Sequence, residues 1–252
     1  MSFFLERMRK VRFIPAQLNN AVTVHFVLNP TVDYSRYVPP SIKLASPPRM
    51  HFALNHFRQT SLPGVVSYLE SALILEVEHD GMKGNLCIAM ILDDDNAMIG
   101  GREFFGFPKK MGRISFEIDN EKARGSIDRR DVAIASFSCG IGDDIPIDSK
   151  IQGPFGNLCF NIKCFPDPSL RRFDYPPRLV AHRIDEKLKR IRKLHDMTLN
   201  LFISRYDAWG EFGAFEIIEG YLREYDCTVL AGEVIAELDG NEYFPYALHR
   251  FM

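Results

Sequence analysis

Apolar residues along this chain recur at strand spacing more often than at helical spacing. Runs at residues 21–28, 71–77, 86–92, 113–118, 132–139, 158–164, 197–203 and 228–236 alternate with polar positions or stay apolar over strand length, and they predict β-strands. Within residues 157–165, Leu158, Phe160, Ile162 and Cys164 share one face while Asn161 and Lys163 share the other, as in a half-buried strand. Helical signals are fewer. Residues 212–225 read as a helix, and residues 185–195 stay open. Leu188, Ile191 and Leu194 fall at helical spacing, yet Ile184, Glu186 and Leu188 fit alternation. Turn residues punctuate the rest, among them Asn29-Pro30, Pro39-Pro40, Pro47-Pro48 and Asp80-Gly81. No stretch reads as a linker and no repeat period recurs. The pattern predicts one mainly β domain over residues 1–252, an antiparallel barrel, because strands follow short turns rather than alternating with helices.

Composition narrows the function. With 46% apolar and 25% charged residues, the 252-residue chain has enough apolar material for a sizeable core, and its 20 Phe give that core an aromatic character. The formal net charge of −2 lacks the basic excess that phosphate neutralisation requires, so no nucleic-acid partner is expected. Charge arrives at Glu6, Arg7, Arg9 and Lys10, before any secretory apolar run could form, and no export signal is read. The uncharged residues 13–32 include Pro15, Gln17, Asn19, Asn20, His25, Asn29 and Pro30, which hydrocarbon does not tolerate, so no membrane span is expected. Five cysteines, odd in number and without a C-x-x-C pair, read as reduced, buried thiols of a cytoplasmic protein.

Chemistry concentrates at residues 100–111, where Lys109 and Lys110 follow Phe104, Phe105, Phe107 and Pro108. A lysine in water has a pKa near 10.4, so about one in two thousand is a neutral amine at pH 7. Burial against the phenylalanines disfavours the ammonium, and a cation at the next position adds a smaller push in the same direction. A fall of three or four units corresponds to about 4 to 5.5 kcal/mol and recovers most of the neutral fraction. Such an amine adds to a carbonyl to give an imine. Adjacent lysines also occur in ordinary solvated turns, and spacing alone does not separate the two.

Residues 101–112, Gly-Arg-Glu-Phe-Phe-Gly-Phe-Pro-Lys-Lys-Met-Gly, closely resemble the signature of the acetoacetate decarboxylase family. The resemblance implies that Lys109 forms the Schiff base and that Lys110 is its cationic neighbour. Residues 67–71, Ser-Tyr-Leu-Glu-Ser, are similar to the family's Tyr-x-Glu-Ser element, which implies that Glu70 faces the reacting lysine. The resemblance continues collinearly through residues 84–96, 157–168, 177–184 and 228–238, with only the lysine loop diagnostic. It implies a closed, cone-like antiparallel β-barrel with the lysine in an apolar cavity, assembled as a homo-oligomer. The implied reaction is cofactor-free decarboxylation of a small β-keto acid, acetoacetate to acetone and carbon dioxide, with no metal. Two positions depart from the family pattern. An arginine near the substrate carboxylate falls at Asn19 in this chain, and a second acidic position falls at His51. Arg102 and Arg49 are the candidate anion partners, although Arg102 beside Glu103 also fits a structural ion pair.

An imine at the same lysine also serves aldol addition or dehydration, and a non-catalytic barrel binding a small acid is the reading from a different class. The remaining motifs read as structural. Asp93-Asp94-Asp95-Asn96 lacks the spacing of a calcium loop and reads as a turn. His51 and His56 do not match a helical zinc pair. Residues 140–144 are a turn rather than a dinucleotide fingerprint, and the basic run at 187–193 is a solvated face.

Overall fold

The computed structural model describes residues 16–147, 151–169 and 171–247. Its strands are β1 (Ala16–Pro30), β2 (Lys43–Leu44), β3 (Met50–Phe57), β4 (Gln59–Thr60), β5 (Tyr68–His79), β6 (Met82–Leu92), β7 (Lys109–Met111), β8 (Arg113–Ile118), β9 (Lys122–Arg129) and β10 (Val132–Asp144). They continue with β11 (Cys159–Lys163), β12 (Arg178–His182), β13 (Ile184–Leu201), β14 (Phe215–Val229) and β15 (Glu233–Glu237). Two short α-helices, α1 (Asp95–Gly100) and α2 (Gly240–Ala247), complete the regular structure together with single turns of other helix types. No helix among the described residues is long and apolar enough to cross a membrane.

All strands join one sheet in the order β15-β12-β11-β6-β5-β3-β1-β14-β13-β10-β9-β8, with β2 on β5, β4 on β1 and β7 on β6. The chain is therefore mainly β, as its periodicity predicts. The expected closed, wholly antiparallel barrel is corrected on two counts. The ladder has two ends, β15 and β8, that do not pair with each other, and β6 takes both β7 and β11 as parallel neighbours. Parallel neighbours need crossover connections, and here the segment carrying α1 supplies the one that delivers β7.

The helix expected at 212–225 is also corrected. Residues 215–229 form β14, paired along its length with β1 on one side and over residues 221–229 with β13 on the other. These ladders of backbone hydrogen bonds outweigh the local helix preference of Glu, Leu and Arg. Residues 185–195, left open by their periodicity, belong to the long strand β13. The single run at 228–236 splits, with β14 ending at Val229 and β15 starting at Glu233. Asp80-Gly81 makes the expected tight turn between β5 and β6, with positive φ at both residues (46° and 78°), as a two-residue hairpin requires.

The strands β1, β3, β5 and β6 are buried on both faces, which explains their near-continuous apolar runs. One face carries Val24, Phe26, Phe52, Leu54 and Leu73 into the main core with Phe137 and Trp209. The other face carries Tyr68, Ala72 and Ile74 toward Phe57, Phe105, Phe107 and Phe155. All five cysteines are buried, and none forms a disulfide among the described residues.

Gly106 closes the turn that leads into β7. Its φ is +79°, and a Cβ there would lie 2.6 Å from the backbone nitrogen of Lys163. Gly81 has a similar φ of +78° with open space around it. Gly106→Ala is expected to cost about 2 kcal/mol or more and Gly81→Ala about 1 kcal/mol, because only the first adds a backbone clash to the left-handed strain. Denaturant midpoints of the two variants measure this, and equal losses would refute the clash.

Candidate active site

The loop between β6 and β7 is built from residues that cap and brace one another. Asp94 caps α1 by accepting from the Ala97 N–H at 2.8 Å, and Asp93 accepts from the Leu69 N–H at 2.7 Å. The acidic run is thus a helix start and a strand anchor. After α1, the chain makes a π-helical turn at Gly101–Phe105, reverses at Gly106 and enters β7 through Phe107 and Pro108. Gly101 leaves room for the lysine stem, since a Cβ there would fall 2.5 Å from Lys109 Cε.

Lys109 and Lys110 are both buried, 6% and 8% exposed, yet they occupy different surroundings. β7 aligns Lys109 with Met90 and Lys110 with Ile91, and successive strand residues point to opposite faces. On its face, Lys109 Nζ donates to Glu70 Oε2 at 2.7 Å and to the Ala97 carbonyl at 3.3 Å. It also sits 5.5 Å from the centre of the Phe107 ring and 5.8 Å from that of Tyr68. Lys110 Nζ donates instead to Asp207 Oδ2 at 2.8 Å, and Arg129 Nε lies 3.8 Å from the same oxygen. Burial lowers the Lys110 pKa, Asp207 opposes that fall, and Arg129 and Arg102 add to it. Lys110 is therefore not the cationic neighbour on the Lys109 face that adjacency in sequence suggests, because alternation separates the two.

Glu70, 4% exposed, begins a polar row across the sheet. In register it pairs with Asn55, which pairs with Thr23, which pairs with Arg223. Directly paired residues share a face, so all four side chains lie on the Lys109 side. Thr23 Oγ1 donates to Asn55 Oδ1 at 2.5 Å and contacts the Tyr225 hydroxyl at 2.9 Å. Asn19 and His51, where the departures from the family pattern are expected, lie elsewhere on these strands. Asn19 pairs with Gln59, and His51 pairs with Ile74.

Of the two candidate anion partners, Arg102 donates from Nη1 to the Lys109 carbonyl at 2.9 Å, so it clasps the backbone of that lysine. Arg49 donates to the Asn29 side chain and the Pro48 carbonyl. Its neighbour Glu76 is six residues from Glu70, roughly 20 Å along β5, so the structure does not bring Arg49 to Lys109. Arg49 lines a separate cavity of about 500 Å³ with His25, His51 and Glu76. There His25 Nε2 and His51 Nδ1 are 3.0 Å apart, and His51 Nε2 is 3.0 Å from Glu76 Oε1.

Tyr68 belongs to the Tyr-x-Glu-Ser element read from the sequence, whereas Tyr225 and His182 carried no signal there. Tyr68 and Tyr225 are held as neutral phenols, their pKa values raised well above 10 chiefly by burial. His182 packs 4.8 Å from the Phe105 ring and 5.3 Å from Phe107, with neither ring nitrogen partnered among the described residues. A lone histidine in an apolar strand has no distinguishing spacing. Among the described residues, no cluster of three or more His, Cys, Asp or Glu could hold a metal ion.

The family profile described as Acetoacetate decarboxylase (ADC) matches residues 7–238. The chain is 32% identical over 200 residues to the acetoacetate decarboxylase of Burkholderia vietnamiensis, covering 79% of this chain and 78% of that one. The match to the Burkholderia cenocepacia enzyme of the same name, 31% identical, covers 48% of this chain and spans about half, 50%, of that relative. Among solved structures, one described as "Structural Studies of Acetoacetate Decarboxylase" superposes with a TM-score of 0.81 at 21% identity, over 90% of this chain and 92% of that one. The enduracididine biosynthesis enzyme MppR complexed with pyruvate shares the fold at a TM-score of 0.68 and 18% identity, over 90% and 93% of the two chains.

Burial lowers the His182 pKa from 6.5 to about 4. The unfolded chain takes up this proton as pH falls through 6.5 while the folded chain does not, so stability is lost between pH 6.5 and 4. The loss attributable to His182 amounts to roughly 3 kcal/mol. His182→Leu is expected to flatten the decline of unfolding free energy across that window. An unchanged slope would show that the imidazole is already protonated in the fold.

Proposed function

The chain belongs to the acetoacetate decarboxylase family, and on that premise we propose that it decarboxylates a small β-keto acid through an imine at Lys109. The observation that carries this reading is the placement of Lys109 Nζ, buried against Phe107 and Tyr68 and 2.7 Å from Glu70.

A proton passed along that contact leaves an amine beside a carboxylic acid, with no net charge moved out of the pocket. The amine lone pair adds to the ketone carbon. Glu70 then protonates the departing oxygen, water leaves, and a cationic iminium forms beside the regenerated carboxylate. Cleavage of the bond to the substrate carboxyl carbon sends its electron pair into the iminium. Carbon dioxide leaves, and a neutral enamine remains. Protonation at carbon and hydrolysis release the methyl ketone and restore the amine. On this path the protein needs neither metal nor organic cofactor, because the iminium is the electron sink. Arg102 holds the Lys109 backbone, and Lys110 with Asp207 anchors the opposite face of the same short strand. The homo-oligomer implied by family resemblance and the cytoplasmic location read from the unpaired cysteines belong to this proposal.

Borohydride reduction in the presence of acetoacetate, followed by mass spectrometry, is expected to fix an adduct on Lys109. Lys109→Ala should abolish both adduct and carbon dioxide release, and Glu70→Gln should slow turnover about 100-fold or more while leaving the fold intact. Failure to trap an adduct on folded protein would remove the imine. Lys110→Ala should lose stability on the order of 3 kcal/mol, since Asp207 is left buried beside Arg129 alone, yet retain measurable turnover per folded molecule. Complete loss of turnover in that variant would give Lys110 a part in the chemistry.

A further inference from the structure

We infer that the substrate carries a second carboxylate, remote from the carbon that loses carbon dioxide, and that Arg223 holds it; this rests on the imine reading of Lys109. Arg223 is 2% exposed. Its Nη2 donates to Glu186 Oε2 at 2.7 Å, while Nε and Nη1 are buried without an acceptor among the described residues. Asn55 Nδ2, two steps along the same row, is in the same condition. Buried donors without acceptors are costly and rare in folded proteins, and several on one face mark the place of an absent acceptor. A carboxylate matches the planar fork of a guanidinium and accepts from it in pairs.

Position adds to chemistry. Arg223 and Glu186 line a cavity of about 880 Å³, and so does Ile184. Ile184 also packs against the apolar groups on the Lys109 side, those around Tyr68 and those around Phe105 and Phe107. Arg223 thus lines the cavity and lies on the same face of the sheet as Glu70. Arg183 and Lys83 line the same cavity and supply positive charge along the approach. The pKa of the buried Cys227 thiol is raised by burial and by Glu186, Glu70 and Asp226 and lowered by Arg223.

One argument separates the inferred group from the carboxylate that leaves. The departing carboxylate loses its charge as carbon dioxide forms. A cation bound to it stabilises the ground state more than the transition state and works against the reaction. A carboxylate retained through the reaction keeps its charge, so binding it positions the substrate without that penalty. Arg223, buried and fixed by Glu186, suits the retained group.

The test uses the full-length protein. Hexanedioate, which cannot form an imine, should raise the thermal midpoint of the wild type and of Lys109→Ala, and the neutral hexanediamide should not. Arg223→Met should weaken hexanedioate binding at least tenfold, and Arg223→Lys should weaken it less. In turnover, the wild type should prefer 3-oxohexanedioate over 3-oxohexanoate at least tenfold in kcat/KM, and Arg223→Met should lose that preference. The preference is a ratio within one variant, so partial unfolding cancels. Asn55→Asp, which keeps the arginine but adds a negative charge beside it, should reduce the preference as well. Equal use of the two keto acids by the wild type, or an undiminished preference in Arg223→Met, overturns the inference. Absence of a borohydride adduct at Lys109 would instead overturn the imine, and the hexanedioate arm would still decide the role of Arg223.

Discussion

The side-to-side alternation of one three-residue strand governs the whole site. β7 lies against β6 in a register that gives Lys109 the face of Met90 and Lys110 the face of Ile91. A slip of one residue would exchange the two cations, bringing Lys110 to Glu70 and Lys109 to Asp207. The register is held from several directions. Gly106 abuts the backbone of Lys163, Gly101 lies under the lysine stem, and Arg102 binds the Lys109 carbonyl. None of these contacts is itself chemical, yet each fixes which amine meets which carboxylate.

That alternation is useful only because the sheet is buried on both faces. A sheet with one wet face would leave one of the two lysines in water. Here the main phenylalanine core covers one side and a second set of aromatics covers the other. Among the described residues, the buried cation–carboxylate contacts include Lys109 with Glu70, Lys110 with Asp207, and Arg223 with Glu186. Buried pairs are weak sources of stability, because desolvation offsets most of the Coulombic gain. Well-packed apolar side chains would serve the fold as well, so the retention of these pairs points to chemistry and positioning.

Much of this was legible in the sequence, and the parts that were not share a cause. The period-2 runs located most strands, and residues 101–112 with Glu70 identified the contact at the centre of the site. Misreadings arose where the answer depends on partners distant in sequence. Residues 212–225 contain good helix formers, and only the ladders with β1 and β13 make them a strand. Adjacent lysines look like neighbours until the pleat turns one away. Arg49 looked like an anion partner, yet it lies beside Glu76 rather than Glu70. Arg223 attracted no notice, because the row Glu70, Asn55, Thr23, Arg223 exists only once four strands are set in register. The closed barrel failed for a related reason: periodicity finds strands but does not say whether the first and last of a ladder meet.

The electrostatic surroundings of Lys109 bear on how the proposed reaction proceeds. Burial keeps His182 unprotonated and Tyr68 and Tyr225 un-ionised. The phenols are therefore poor proton donors, and the neutral imidazole of His182 has no surplus proton to release at neutral pH. Near Lys109 this leaves the carboxyl of Glu70 as the group able to take a proton from the ammonium and return it to the departing oxygen, while the proton added to the enamine carbon is drawn from water. An iminium at Nζ occupies the position of the ammonium, beside the Glu70 carboxylate and the faces of Phe107 and Tyr68, which attract cations. These contacts hold the amine's cation and the iminium alike, so by themselves they add little rate. The acceleration has to come from the departing carboxylate, which gives up its charge among the aromatic side chains, where a neutral product is easier to accommodate than an ion.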